Sequence, residues 1–508
     1  VFSAPPREPR LAAPAATSAS SSRTPGYLAA LLLLVLGGAA ALSIDIVRTG
    51  EGVKGDEATY VSMALSAAYD GDLAYEQRDL QRFWRLYQDG PEGIFLKRGQ
   101  TVDVRVTGSF PFVRVERALD PRVDRLYYAK AFAYSVAGAP FVRLAGLNGL
   151  LFFNVLLLVG AFLCAYQFLA ARAPAAPSLL IALAFFGASV ATLYVVWLTS
   201  EIFNFALVAY ACFLWLFKYV APPSGSAWGR FLRGPQSDIA AACLLGIAIY
   251  SKLLPVALLA PMALAHAWRR EWLRALAIVL VAGGTAAAIF GVQVAVTGEA
   301  NYQGGDRKTF YRTFPFDAPD ATWANRGSGY ATESVTTGFE ADPAGAAQTL
   351  GVNAWYFLAG RHTGLVAYYF PALFAFAACV LAGRRVLLAQ WLTIGALAAA
   401  AVGMMIWLPY TWSGGGGAPG NRYFLCLYPA AFFVMPPVRT VAAALVPWVG
   451  ALFMAPLVAN PFYTSTHPWQ ETSRGLFRAL PIELTMVNDL PVMVDPGRGH
   501  VPFGADPR

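Results

Sequence analysis

Two carboxylates stand side by side in "VKGDEATY", Asp56 and Glu57, a few residues after a long apolar run ends. A bare acid pair next to lipid is costly unless it is hydrated, paired or used. A second acid, Glu201 in "WLTSEIFNF", falls between two other apolar runs. Basic residues fall at similar boundaries: Lys130 in "YYAKAF", Lys252 in "YSKLLP", Asp306–Arg307–Lys308 in "QGGDRKTF", Arg361–His362 in "LAGRHTG" and Arg422 in "GNRYF". Acids can orient or deprotonate a hydroxyl, and Lys and Arg can hold a phosphate. If these groups share one face, they suit the charged headgroup of a lipid. Each has a plainer reading as well. Basic residues at span ends snorkel to the interface. Asp56 and Glu201 could simply open helices, where the dipole favours an acid.

What must position them is a membrane-embedded scaffold. The chain has 508 residues, 57% of them hydrophobic, 13% charged and 14% aromatic. Soluble domains carry about 25% charged residues. The net charge of +8 is therefore read as cytoplasmic-loop bias in a polytopic membrane protein, with no nucleic-acid partner. The five cysteines lie in or beside apolar segments without CxxC spacing, and the four histidines form no ligand pattern. We expect no metal site and no cofactor; two adjacent carboxylates at 56–57 are only a weak argument for a divalent cation.

Hydropathy divides the chain into a disordered cytoplasmic tail at 1–26, a transmembrane unit at 27–460 and a short extracytoplasmic tail at 461–508. About eleven spans are expected. The first is "GYLAALLLLVLGGAAALSIDI"; the others are 147–170, 178–198, 202–221, 237–251, 253–268, 275–296, 363–382, 387–408, 423–437 and 440–459. Large outer loops fall at 47–130, with amphipathic helices, and at 297–362. This layout places Arg172, Lys218, Arg230, Arg233, Arg269, Arg270, Arg274, Arg384, Arg385 and Arg439 on the N-terminal, cytoplasmic side. The acids and the candidate phosphate holders then share the opposite face.

With these motifs in order, the sequence resembles the GT-C-type membrane glycosyltransferases, which include protein O-mannosyltransferases and the lipid A aminoarabinose transferase. "GDEATYVSMALSAAYDGDL" is similar to the start of that family's first outer loop. "YYAKAFAYSVAGAPFVRLAGLNGLLFFN" is similar to the re-entry segment, with Lys130 where many members have Pro. "WLTSEIFNFALVAYACFLW", "GIAIYSKLLP" and "GNRYFLCLYP" resemble later segments, and the likeness is clearest over 27–260. It implies an all-α GT-C-like fold with a large first extracytoplasmic loop. It also implies an inverting transferase that moves a sugar from a polyprenyl-phosphate donor to an acceptor hydroxyl at the extracytoplasmic face of a bacterial inner membrane. The acceptor is left open as a glycan, lipid or protein. In this reading Asp56 and Glu57 are catalytic, and Glu201, Lys130, Lys252, Arg361, His362 and Arg422 bind substrate. A transporter or flippase of a lipid-linked or sugar substrate is the rival. It predicts repeated halves and ionisable groups near the midplane.

Overall fold

The computed structural model describes residues 23–49, 52–53, 56–109, 113–119, 125–223, 225–298, 307–329, 343–415, 417–490, 494–495 and 499–500. Of the expected tail at 1–26, residues 1–22 lie outside the described residues, as does Asp306, and residues 24–26 already belong to the first helix. What is described is predominantly helical. Six helices are long and apolar enough to cross a membrane: Thr24–Ser43, Ala133–Ala170, Glu201–Val220, Trp272–Thr297, Leu388–Trp407 and Val441–Ala459. Two shorter apolar helices, Ala175–Gly187 and Leu254–Trp268, accompany them. The chain is a helical membrane protein.

Several expected spans are broken, and proline and glycine account for the breaks. The run at 253–268 is a short turn at Leu254–Leu258, with Pro255 inside it, followed by helix Leu259–Trp268. The run at 423–437 is two short helices, Arg422–Leu425 and Tyr428–Phe433, separated ahead of Pro429. Helix Ala133–Ala170 changes direction at Ala145 and Gly146, where Gly146 takes φ +59°. Its second half therefore starts close to residue 147, where the hydropathy placed a span.

The central packing is helix on helix. Glu201–Val220 lies against Pro235–Ser251 and Ala133–Ala170, and Trp272–Thr297 lies against Pro235–Ser251. Much of the core is aromatic: Tyr166, Phe168, Phe185, Tyr194, Tyr369, Tyr428 and Phe432 are all buried. Exposed Leu31, Leu36, Leu273, Leu280 and Leu381 lie on the apolar helices, as lipid-facing positions require.

The two long loops depart from the all-helical expectation. Loop 47–130 holds helices Glu57–Tyr69 and Gln77–Trp84. It also holds strands Ala74–Tyr75, Ile94–Arg98, Gln100–Val106, Val113–Leu119 and Leu126–Tyr128. Gln100–Val106 and Val113–Leu119 form an antiparallel hairpin. Ile94–Arg98 pairs on one side with Leu126–Tyr128 and on the other with Lys308–Phe310, from the second large loop. The resulting five-stranded antiparallel sheet joins the two loops into one layer. Its underside packs Ile94, Leu96, Tyr128, Phe310 and Phe314 against Ala58 and Met63 of helix Glu57–Tyr69.

Candidate active site

Helix Glu57–Tyr69 starts at Asp56, whose backbone carbonyl accepts the Thr59 and Tyr60 amides while its side chain does no capping. The carboxylate is left to face inward. Lys130 approaches one oxygen, with Nζ 3.0 Å from Oδ1. Arg422 approaches the other, with Nη1 3.2 Å from Oδ2. Lys130 sits in the turn between strand Leu126–Tyr128 and helix Ala133–Ala170. Its ammonium lies 4.7 Å from the centroid of Phe95, whose ring also carries the Arg307 guanidinium at 4.5 Å.

The second acid continues the chain of charges. Glu201 is the first residue of its helix, and its Oε1 receives Lys252 Nζ at 2.7 Å and stands 3.6 Å from Arg422 Nε. Lys252 ends helix Pro235–Ser251 in an extended conformation, φ −146°. Pro255 prevents the helix from resuming at once. The order is Lys130, Asp56, Arg422, Glu201, Lys252: three cations against two carboxylates. All five are mostly buried, and Glu201 is 3% exposed. One oxygen of Glu201, Oε2, has no hydrogen-bond partner among the described residues.

Burial alone would raise the proton affinity of Asp56, but Lys130 and Arg422 outweigh it and hold the carboxyl well below the usual range. Arg307 adds to that effect. Burial lowers the Lys130 ammonium in turn, with Asp56 opposing it.

Arg422 is aimed by the glycine-rich loop before it. Gly414, Gly415, Gly417 and Gly420 all have positive φ, from +58° to +97°, a region that costs other residues strain. The loop returns so that the Arg422 amide donates to Ser413 O (2.8 Å) and Nη2 to Gly414 O (2.8 Å). Asn421 caps the short helix that follows through Phe424 N. Tyr194 and Tyr369 donate to the carbonyls of Pro419 and Asn421 at 2.9 and 2.6 Å, pinning the loop to the core.

Five of the eight residues singled out from sequence therefore meet: Asp56, Glu201, Lys130, Lys252 and Arg422. Three do not. Glu57 points the other way, and its Oε1 accepts the Leu198 amide at 2.6 Å. It is buried and clamps the turn that presents Glu201. Asp56 and Glu57 thus engage different partners. Among the described residues no three His, Cys, Asp or Glu side chains converge as metal ligands.

Arg361 also lies elsewhere, directing Nε and Nη2 to the carbonyls of Leu480 and Arg478. The His362 ring is buried, and desolvation lowers it to about 3, so it stays neutral and offers no cation. Its contribution is through the backbone: its carbonyl accepts the Gly420 amide at 2.9 Å.

Sequence reasoning also missed supporting residues. Tyr60 shares a 3.1 Å hydrogen bond with Ser200, behind the two acids. Asn204 donates to Ser200 O and Ser251 Oγ at 2.7 and 2.9 Å, tying the start of the Glu201 helix to the residue before Lys252. These are ordinary core polar residues with no distinctive spacing.

The site and fold define a helical membrane protein with a buried ion cluster at one end of its bundle. No protein-family model matches the chain, and no curated protein matches it. Among solved structures it is similar to ArnT from Cupriavidus metallidurans, crystallised bound to undecaprenyl phosphate. The TM-score is 0.46 at 14% identity, covering 86% of this chain and 64% of that one. The chain thus spans under two thirds of that neighbour's length, and the reading of the site rests on its own geometry.

Proposed function

We propose that the protein is an inverting glycosyltransferase that takes a sugar from a polyprenyl-phosphate donor and passes it to an acceptor hydroxyl. The observation that carries this reading is the alternating cluster Lys130–Asp56–Arg422–Glu201–Lys252, with its excess of cations, buried at one end of an apolar bundle. An anionic group delivered from the bilayer finds there fixed donors in a dehydrated setting, where electrostatic stabilisation is strongest. The planar fork of Arg422 matches phosphate oxygens, and Lys130 and Lys252 add point charges.

The chemistry needs little else. The acceptor oxygen attacks the anomeric carbon, the bond from that carbon to the phosphate oxygen breaks, and the electron pair leaves with the phosphate. Cations seated on the phosphate stabilise that charge. Asp56 takes the acceptor's proton. In the resting cluster Asp56 is a weak base because two cations hold it. A bound phosphate draws on both of them and so raises its proton affinity.

The cluster gathers at helix ends, Glu201 opening its helix and Lys252 closing Pro235–Ser251; in this reading that end lies at one membrane boundary, which favours transfer over transport. In this reading the site lies on the extracytoplasmic face of an inner membrane. A cysteine placed at Gly90 should then be labelled from outside and one at Gly229 should not; the reverse pattern inverts the topology. Transfer itself is tested with the purified chain and radiolabelled undecaprenyl-phosphate sugars, comparing wild type with Asp56→Asn. Wild-type turnover in the variant removes Asp56 from the chemistry. Failure of the wild-type chain to bind undecaprenyl phosphate removes the donor.

A further inference from the structure

The C-terminal segment enters the neighbourhood of the cluster. It is fastened in two places. Glu483 is fully buried, and its Oε1 accepts the amides of His362 and Thr363 and the Thr363 hydroxyl, each at 2.8 Å. Thr485 Oγ1 donates to Asn353 Oδ1 at 2.7 Å, and Met486 is buried with Tyr356 and Trp412. The turn Leu484–Asp489 then ends over the glycine loop. A Cβ on Gly415 would lie 2.9 Å from Asp489 Oδ1, so only glycine lets this carboxylate approach so closely. The adjacent Gly414 carbonyl receives Arg422 Nη2. Asp489 Oδ2 is buried without a hydrogen-bond partner among the described residues.

Arg422 is thus flanked by Asp56 and Glu201, and a third carboxylate, Asp489, lies against the glycine loop that aims it, with one buried oxygen unpartnered among the described residues. We infer that Asp489 is an acceptor-binding residue, whose free oxygen receives a hydrogen bond from a second hydroxyl of a polyhydroxylated acceptor while Asp56 serves the reacting one. This rests on the transferase reading above. The chemistry fits. A carboxylate is an acceptor-only group and binds hydroxyls well. A buried one left unsatisfied discriminates strongly against a substrate that lacks the matching donor. Burial pushes the Asp489 carboxyl up to about 6, with Arg422, the charged group acting on it, pulling the other way. It is thus ionised at neutral pH without being locked into an ion pair.

The test uses the full chain in nanodiscs and undecaprenyl-phosphate sugars carrying labelled glucose, mannose or arabinose. The acceptors are n-octyl glucoside, which has several hydroxyls, and n-octanol, which has one. Wild type should favour octyl glucoside. Asp489→Asn should lower that preference by about tenfold or more, the cost of a hydrogen bond to a charged group. Asp489→Glu should restore part of it, and undecaprenyl phosphate binding should not weaken in Asp489→Asn, because a carboxylate offers the phosphate no donor. A merely structural Asp489 would lower both transfers equally and leave the ratio alone, which overturns the proposal. So does a wild type that binds undecaprenyl phosphate yet does not favour octyl glucoside. A wild type that binds no undecaprenyl phosphate overturns the donor reading, and the role of Asp489 with it.

Discussion

Asp56 and Arg422, 366 residues apart in the chain, meet at 3.2 Å. The carboxylate stands at the start of helix Glu57–Tyr69, and the guanidinium directly follows a glycine-rich loop far along the chain. Glu201 takes the other side of the same guanidinium at 3.6 Å. Arg422 is thus the hub on which two acids from separate helix starts converge, and most consequences for mutation run through it.

Asp56→Asn should reduce transfer by about 100- to 10,000-fold, the usual worth of a positioned base. The amide keeps the shape but leaves Lys130 and Arg422 less neutralised, so undecaprenyl phosphate should bind as tightly or more tightly. Equilibrium binding of labelled undecaprenyl phosphate, measured beside turnover, separates the two effects. Weaker binding in the variant contradicts this account.

Arg422→Ala should weaken undecaprenyl phosphate binding by about ten- to a hundredfold, as expected for a lost charge-assisted hydrogen bond of about 1.5–3 kcal/mol. Arg422→Lys should recover only part of this, because an ammonium cannot reproduce the fork that reaches Asp56 and Gly414 O together. Donor titrations that match wild type would reduce the arginine to an anchor for its loop.

Glu57→Ala should act on stability before chemistry. It strips the buried Leu198 amide of its acceptor, at a cost of about 1–3 kcal/mol. The turn carrying Glu201 loosens as a result. Glu57→Gln keeps an acceptor oxygen and should recover most of the loss. Thermal melting in detergent reads the difference, and a melting temperature for Glu57→Ala equal to wild type refutes the clamp.

Acidification separates the two aspartates. Asp56 lies well below the usual carboxylate range and stays ionised throughout mild acid. Asp489, raised to about 6 mainly by burial, gains its charge as pH rises through that value. Transfer to a polyhydroxylated acceptor should therefore climb from pH 5 to pH 7, approximately following one titration near 6. Asp489→Asn should flatten that limb. A limb that persists unchanged in the variant belongs to another group.

The sequence made the scaffold and much of the cluster legible for one reason: charge is expensive at a bilayer, so boundary charges stand out against apolar runs. Asp56, Glu201, Lys130, Lys252 and Arg422 were all visible this way. Position along the chain says nothing of direction, however. Glu57 shares the boundary with Asp56 but turns its carboxylate to Leu198, as successive residues on a helix must diverge. Arg361 and His362 share a boundary too, yet serve the C-terminal segment. The strands in loop 47–130 were written in the alternation of "TVDVRV" and "VRVERAL", a period of two hidden by the dominant hydropathy. Asp489 had no signal: it sits in a polar tail, and only the close approach of Gly415 gives it a place.

The pairing of Ile94–Arg98 with Lys308–Phe310 also bears on biogenesis. The two strands are separated by more than two hundred residues, which at ribosomal speeds is roughly 10 to 40 seconds of synthesis. During that interval Ile94–Arg98 presents an unpaired edge on that side, and the Phe95 platform beneath Lys130 lacks Arg307. The sheet is completed only after the intervening helices have been made, so the nascent chain must carry an unpaired strand edge and an unfinished ion cluster through most of its synthesis.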